Sequence, residues 1–299
     1  MLFFLNISVS PLKKCRLILL IVKAVFFIMK KGVKYFLLLL GAAAILVSGV
    51  TLFITNRQFK LDRYSARNFT AISVDELKND GRVTFDRSLM LVNGEHSLPE
   101  DFAPTVVKFE NTEAYLDECV LQSFSVLRET VNDKFGQKLL IMSAYRDSEH
   151  QKEIYDADND GVAAKPGTSE HETGLGIDVY VKYYAGKGFI KSDEGKFVNK
   201  HCGDYGFIIR YPKHRKSITG YDYEPWHIRY VGQPHSALIS DNSLTLEEYL
   251  DSLKICEFYL YDGYVISKQS GTELQMPKEF GSAVISPDNC GNYVVTVRL

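Results

Sequence analysis

The 299-residue sequence has almost no excess of charge of either sign, with a formal net charge of -2. No stripe of basic residues with interleaved aromatics follows residue 60. That excludes a dedicated nucleic-acid binder, which needs a basic face to neutralise phosphates. Cysteine is sparse: Cys15, Cys119, Cys202, Cys256 and Cys290 are the only five, and none stands in a CxxC or other zinc-like pair. They are therefore not expected as metal ligands. In an exported domain, Cys256 with Cys290 is the most plausible bridge, because both lie in one C-terminal region of β character; Cys119 with Cys202 is a weaker one, and free thiols are the alternative. Regular βαβ alternation is also missing. What is present is an ordinary globular composition, 45% hydrophobic and 24% charged, long enough for one sizeable domain and something smaller.

One long apolar run stands out. Residues 36–54, FLLLLGAAAILVSGVTLFI, carry no charge, and a helix of that length rises about 28 Å, matching a bilayer's hydrocarbon core. Lys30, Lys31 and Lys34 precede it, so the bulk of the chain is expected outside the cell. The small residues Ala42, Ala43 and Ala44 allow a cleaved signal peptide, but the apolar run continues past them, which favours an uncleaved anchor. A second stretch, residues 16–29, is interrupted by Lys23 and is too short to span. Met29-Lys30-Lys31 is itself a good positively charged start, so residues 1–28 read as an over-long start assignment. The expected organisation is a cytoplasmic N-terminus over 1–35, a transmembrane anchor over 36–54, a polar stalk over 55–87, a main domain over 88–243, and a small β-rich appendage over 244–299.

Within the main domain, Leu116, Val120, Phe124, Leu127, Val131 and Phe135 recur at helical spacing and Gly136 stops them. The run 139–142 reads as a buried strand ending at Ser143-Ala144-Tyr145-Arg146, and Ser148 with Gln151 suits a capping box for a second helix to about Tyr155. Residues 177–181 and 206–212 have strand character, 197–205 reads as a short helix, and 223–232 reads as a strand entered through Pro225. Beyond Ser243, Thr245 with Glu248 caps a helix over 246–253. Asp262-Gly263 turns a hairpin, and Tyr293, Val295, Val297 and Leu299 share one face of a last strand. Helices mixed with strands in no βαβ order imply an α+β fold.

Chemistry concentrates in two strings. SEHETGLGID sets His171 and Asp178 in one glycine-rich turn, and EPWHIRY supplies His227 with Glu224 three residues earlier. Two neutral imidazoles and one carboxylate would leave a Zn2+ ion one net positive charge and one open position, which lowers the pKa of a water there toward about 7. Glu224 would then take the water proton and pass it to the leaving amine. Each residue alone has a plain alternative: a surface or core histidine, an exposed carboxylate, a turn aspartate. A regular strand would also send Glu224 and His227 to opposite faces, so their convergence needs a twist or bulge.

The two strings together resemble the zinc signature SxHxxGxxxD…ExWH of the VanY-type D-alanyl-D-alanine carboxypeptidases, relatives of the D,D-dipeptidases and of the Hedgehog fold. Ser143 to Gln151, SAYRDSEHQ, is similar to that family's SxYRxxxxQ element. The likeness covers roughly residues 88–240 with its three motifs in order. One departure is Gly176, where relatives often carry Ala, a change not expected to matter to ligation. The resemblance implies an antiparallel sheet with flanking helices and one catalytic Zn2+ on His171, Asp178 and His227, with Glu224 as general base. It also implies a peptidoglycan stem peptide ending in D-Ala as substrate. Arg146 matches the family's substrate-binding arginine, and a planar guanidinium suits a free carboxylate. Gln151 and Ser169 are further substrate contacts by the same likeness, with capping and turn roles as their alternatives. The implied activity is a membrane-anchored D,D-carboxypeptidase outside the cell, relevant to glycopeptide resistance. L,D-carboxypeptidase or dual activity, a non-catalytic wall-binding module and an endopeptidase remain as alternatives.

One acidic loop stands apart. Asp156, Asp158, Asp160 and Gly161 begin an EF-hand-like DxDxDG, but position twelve is Gly167 where a bidentate Glu belongs. Ca2+ there is the lesser expectation, with Glu170 or Glu172 as substitutes and a solvated acidic loop as the default.

Overall fold

The structure, a computed structural model, describes residues 61–159 and 161–299. The proposed anchor over 36–54, the segment before it and the first residues of the expected stalk lie outside the described residues. Among the described residues no helix is long and apolar enough to cross a membrane. Leu61–Leu299 form one compact unit.

Its chain opens with β1 (Asp62–Arg63), β2 (Phe69–Ser73), the one-turn helix α1 (Val74–Leu77) and β3 (Val83–Phe85). After β4 (Val106–Lys108) and β5 (Tyr115–Asp117) comes α2 (Leu121–Phe135). The helical period over 116–135 thus holds only from Leu121: Leu116 sits in β5, where Tyr115 pairs with Lys108. Gly136 closes α2 as expected, in the left-handed conformation at φ 70°. β6 (Leu140–Ser143) leads to α3 (Ser148–Ala157), whose N-cap is Asp147, accepting the His150 N–H at 2.8 Å. The expected Ser148–Gln151 box does not form, because the helix starts one residue earlier and Asp147 alone caps it. β7 (Gly176–Tyr180), α4 (Asp193–His201), β8 (Phe207–Ile209), α5 (Lys216–Thr219) and β9 (His227–Tyr230) complete the main domain.

Four of these strands form an antiparallel sheet in the order β6-β7-β9-β8. Alternation sends Ile177, Val179 and Ile228 into a core with Phe124, Leu127, Val131 and Phe207, all fully buried. The opposite face carries Asp178 and His227, which stand directly across from each other in register.

The remainder corrects the expected organisation. α6 (His235–Asn242) and α7 (Leu246–Ser252) precede β10 (Phe258–Tyr261), β11 (Tyr264–Gln269), β12 (Glu273–Pro277), β13 (Ser282–Pro287) and β14 (Tyr293–Arg298). The capping box on α7 is present, Thr245 N–H donating to Glu248 Oε2 at 2.9 Å and Glu248 N–H to Thr245 Oγ1 at 3.1 Å. The hairpin turns through Asp262 and Gly263, both at positive φ. These strands do not stand alone: the sheet order is β1-β10-β11-β14-β13-β3, and β12 pairs with β2. Residues 61–87 are accordingly not a stalk. Phe69, Ile72, Val74, Leu77, Val83 and Phe85 are spread too thinly to read as periodic, yet all pack with Leu274, Met276, Ile285, Val295 and Val297. Nor is the C-terminal sheet a separate appendage, since buried His235 of α6 bonds Tyr249 of α7 at 2.6 Å and Thr296 of β14 at 2.8 Å. The expected disulfides are absent as well. Cys119, Cys202, Cys256 and Cys290 are all free thiols, Cys202 buried and the C-terminal two exposed; Cys15 lies outside the described residues.

Because β1 and β3 complete the six-stranded sheet and β2 pairs with β12, a domain started at residue 88 should unfold without a cooperative transition, or aggregate through its bared apolar face. One started at residue 61 should melt as a single unit. Equal melting temperatures by calorimetry would contradict this pairing.

Candidate metal centre and active site

The site is assembled by three short pieces of backbone. The first is the Ser143–Arg146 segment at the end of β6. It is clamped from both sides, with Tyr145 N–H donating to Tyr115 O at 3.0 Å and Arg146 N–H to His171 O at 3.2 Å. The second is a single 3-10 turn, Glu170–Thr173, that ends at Gly174. Gly174 sits at φ 74°, and a Cβ there would lie 2.8 Å from the Asp117 backbone nitrogen, so only glycine fits. The third is the approach to β9.

This third piece differs from expectation and resolves a difficulty. Glu224-Pro225-Trp226-His227 is a β-turn rather than a strand, closed by His227 N–H to Glu224 O at 3.2 Å. Proline at the second position sets φ for such a turn. Its ends therefore stand together, and the facing problem of a regular strand never arises. Tyr211 O accepts the Glu224 N–H at 3.1 Å, and Asn199 Nδ2 donates to Pro225 O at 2.8 Å, which fixes the turn against neighbouring segments.

His171, Asp178 and His227 come together with their ligand atoms all within 4.8 Å of one another. The hydrogen bonds assign which atoms face inward. His171 Nδ1 is occupied by Ala144 O at 2.7 Å, which leaves Nε2 toward Asp178 Oδ2 at 3.4 Å. His227 presents the other nitrogen: Nδ1 is 2.9 Å from Asp178 Oδ1, while Nε2 faces Glu170 Oε2 at 3.5 Å. The two rings meet edge-on, 5.0 Å between centroids at 90°. Two imidazole nitrogens and one carboxylate, converging without a fourth side chain, match the donor set of an open zinc site. The residues fit the metal.

Gly176 is part of this fit. A Cβ there would stand 3.1 Å from His227 Nε2 and 3.3 Å from Glu170 Cβ. An alanine thus needs the His227 ring to yield by a few tenths of an ångström, so this position is less neutral toward ligation than expected.

The electrostatics follow from burial. Burial by itself would raise the Asp178 carboxyl, but hydrogen bonds from His171 and His227 reverse that and hold it well below the usual carboxylate range. Burial lowers His171. It would lower His227 too, yet the Asp178 and Glu170 carboxylates overcome it and push the ring up to about 9. Glu224 is raised, by desolvation first and then by Asp178 and Asp222. Arg146 is half-buried and is lowered by desolvation against the pull of Asp178 and Glu172, and its Nε has no hydrogen-bond partner.

Ser169 and Gln151 are both buried. Ser169 opens the His171 turn, its N–H donating to Glu172 Oε2 at 3.4 Å. Gln151 donates Nε2 to Ala164 O at 2.7 Å, leaving Oε1 unpartnered. The acidic loop lends calcium no support. Asp156 pairs with Lys152, and Asp158 Oδ2 accepts the Val162 N–H at 2.6 Å and the Ala163 N–H; Asp160 lies outside the described residues.

An inner charge cluster has no counterpart among the residues singled out by sequence pattern. Glu170 is fully buried between Arg210 and Arg229, whose Nε and Nη1 each donate to Oε1 at 2.6 Å. Arg210 also grips Glu247 of α7 through Nη1 and Nη2 at 2.9 and 2.6 Å. Arg229 Nη2 reaches the carbonyls of Ser88 and Met90 at 3.0 and 2.9 Å. One signal was available: on β9, Arg229 is two residues from His227 and so shares its face.

An α+β fold with a two-histidine, one-aspartate centre beside a carboxylate and an arginine defines a metallohydrolase. The family model described as VanY, D-alanyl-D-alanine carboxypeptidase, matches residues 113–233. The putative carboxypeptidase YodJ of Bacillus subtilis is 35% identical over 204 residues, 60% of this chain and 74% of that protein. A D-alanyl-D-alanine carboxypeptidase of Enterococcus faecium is 42% identical over 146 residues, 47% of this chain and 45% of that protein. Among solved structures, the vancomycin-resistance D,D-dipeptidase VanXYg, in complex with a D-Ala-D-Ala phosphinate analogue, superposes with a TM-score of 0.64 at 27% identity, covering 77% of this chain and 98% of that one. The chain belongs to the VanY family of D-alanyl-D-alanine carboxypeptidases, which are zinc metallopeptidases.

Because His227 is held near 9 in the metal-free protein, it is protonated at pH 7 and must shed that proton to ligate. Zinc affinity should therefore rise with pH, about tenfold per unit between 7 and 9 from this one proton. Calorimetry at pH 7 in buffers of different ionisation enthalpy should show about one proton released from this ring. Affinity flat across that range would refute the linkage.

Proposed function

We propose that this protein is a zinc D,D-carboxypeptidase that removes the terminal D-Ala from peptidoglycan stem pentapeptides. We place it at the outer face of the cell membrane, held by the apolar segment over residues 36–54, and assign it a contribution to glycopeptide resistance. The observation that carries the reading is one cluster: the His171–Asp178–His227 centre with the unpartnered Arg146 Nε in the field of Asp178.

In this reading His171 Nε2, Asp178 and His227 Nδ1 hold the zinc ion. When bound, the ion supplies Lewis-acid polarisation of the scissile carbonyl and eases ionisation of water. Glu224 is the general base. Its raised pKa brings it closer to the pH at which one carboxylate can both accept the water proton and return it to the departing D-Ala nitrogen. Arg146 pairs with the free carboxylate of the terminal D-Ala, the group a carboxypeptidase must recognise, and Asp178 and Glu172 nearby keep its guanidinium charged. Gln151 has its amide nitrogen engaged by Ala164, so it offers Oε1 as an acceptor for a stem-peptide N–H rather than a donor to the carboxylate. Ser169, whose side chain takes part in the capping box of the His171 turn, is assigned a hydroxyl contact to the same substrate.

Glu224→Gln should keep stoichiometric zinc and lose D-Ala release from pentapeptide by about 10²–10⁴-fold; near-wild-type turnover would end this mechanism. Arg146→Ala removes charge-assisted hydrogen bonds of about 1.5–3 kcal/mol each. Its kcat/KM should fall roughly ten- to a hundredfold on a free C-terminus, with little change on a C-terminally amidated stem. Release of D-Ala from tetrapeptide but not pentapeptide would replace the D,D assignment with L,D-specificity. Recovery of the full chain in the soluble fraction would remove the anchor.

A further inference from the structure

Four buried side-chain polar atoms among the described residues lack a hydrogen-bond partner: Arg146 Nε, Gln151 Oε1, Glu170 Oε2 and His227 Nε2. The first two belong to residues assigned above to the substrate. The last two face each other at 3.5 Å. Glu170 has no solvent to turn to, being fully buried, and its other oxygen is committed to Arg210 and Arg229 at 2.6 Å each. Arg210 is in turn locked by Glu247. The Glu170 carboxylate therefore has one acceptor atom without a hydrogen bond among the described residues, and the ring it faces is that of His227.

We infer that Glu170 is a positioning residue for the metal centre: its Oε2 accepts the His227 Nε2–H, fixing the tautomer that leaves the Nδ1 lone pair directed at Asp178 and the zinc. This rests on the site assignment proposed above and adds a residue to it. The need is specific to His227. His171 has its tautomer set by a backbone carbonyl, Ala144 O, and ligates through Nε2; His227 is turned the other way and has no backbone acceptor on Nε2. An outer carboxylate that orients a ligating imidazole also raises its basicity. Gly176 serves the same contact, since a Cβ there would stand 3.1 Å from His227 Nε2 and 3.3 Å from Glu170 Cβ.

Glu170→Gln is nearly isosteric and makes a sharp test. Arg210 and Arg229 present only donors, so the amide oxygen must stay with them and the amide NH2 turns to His227. A donor there selects the opposite tautomer, with the proton on Nδ1, where the metal needs a lone pair. Zinc affinity, read by chelator competition on the full chain, should weaken about 10- to 100-fold, while that of a half-buried control outside the site, His201→Ala, stays at the wild-type value. Glu170→Gln that is folded by circular dichroism and binds zinc within twofold of wild type would overturn the inference, whatever its melting temperature. A purely structural Glu170 predicts that outcome. A second measurement needs no variant: nitrogen-15 NMR of the zinc-loaded wild type should show His227 protonated on Nε2 in slow exchange. A proton on Nδ1 instead would overturn it even if Glu170→Gln failed to fold. Wild-type protein that bound no zinc through these three ligands would overturn the site assignment and this inference with it. Zinc-binding wild type with an unaffected Glu170→Gln overturns the inference alone.

Discussion

Everything at the site depends on the register of β7 against β9. Asp178 stands opposite His227, and a one-residue slip would turn one of them into the core and bring Val179 or Ile177 out to replace it. The register is held from the apolar side. Ile177, Val179 and Ile228 are fully buried against α2 and β8, so the slip would expose them and bury an aspartate or a histidine. The hydrophobic face of the sheet thus fixes the geometry of the polar one. The β6 edge adds the third constraint, because Ala144 O anchors His171 and the same short segment delivers Arg146.

Charge is packed here at a density that only mutual pairing makes tolerable. Arg210, Arg229 and Glu170 have no exposed side-chain surface. Removing one member of such a set leaves an uncompensated buried charge, at a cost of about 3–5 kcal/mol. The set also ties distant parts of the chain together. Glu247 comes from α7, and the carbonyls of Ser88 and Met90 come from the segment that leaves β3. That gives the outer β strands a connection to the metal centre that runs through two arginines. The helices α6 and α7 do the same by hydrogen bonding, through His235 between Tyr249 and Thr296. Burial pushes His235 down to about 3, so it is a neutral link that takes no part in the charge balance.

The chain states its chemistry locally and its architecture diffusely. The ligands, Glu224 and Arg146 lie in short strings whose spacing is dictated by turns, and turns are encoded by neighbouring residues such as Pro225, Gly174 and Gly136. The α7 capping box and the Asp262–Gly263 hairpin were legible for the same reason. The outer sheet was not, because β1, β2 and β3 are short and find their partners some 200 residues away: Val83 lies beside Ala283, and Ile72 beside Leu274. Single apolar residues in a polar stretch give no periodicity. Loop-like composition and strand pairing are indistinguishable until the partner strand is in place. The Glu224–His227 segment misled in the opposite direction, since β-rich composition after Pro225 reads as a strand although the proline turns the chain.

By itself, the sequence determined the candidate metal-ligand set, the carboxylate and arginine proposed beside it, the mixed helix-and-strand class and the family, since these rest on residue type at short spacing. Tertiary structure alone decided which nitrogen of each histidine faces inward, that Glu224 and His227 close a turn, that residues 61–87 complete a sheet, and that Glu170 lies between two buried arginines. Apart from the turn, which is local, those features are contacts between residues 27 to at least 197 positions apart, and their energies come from burial and pairing that no local pattern records.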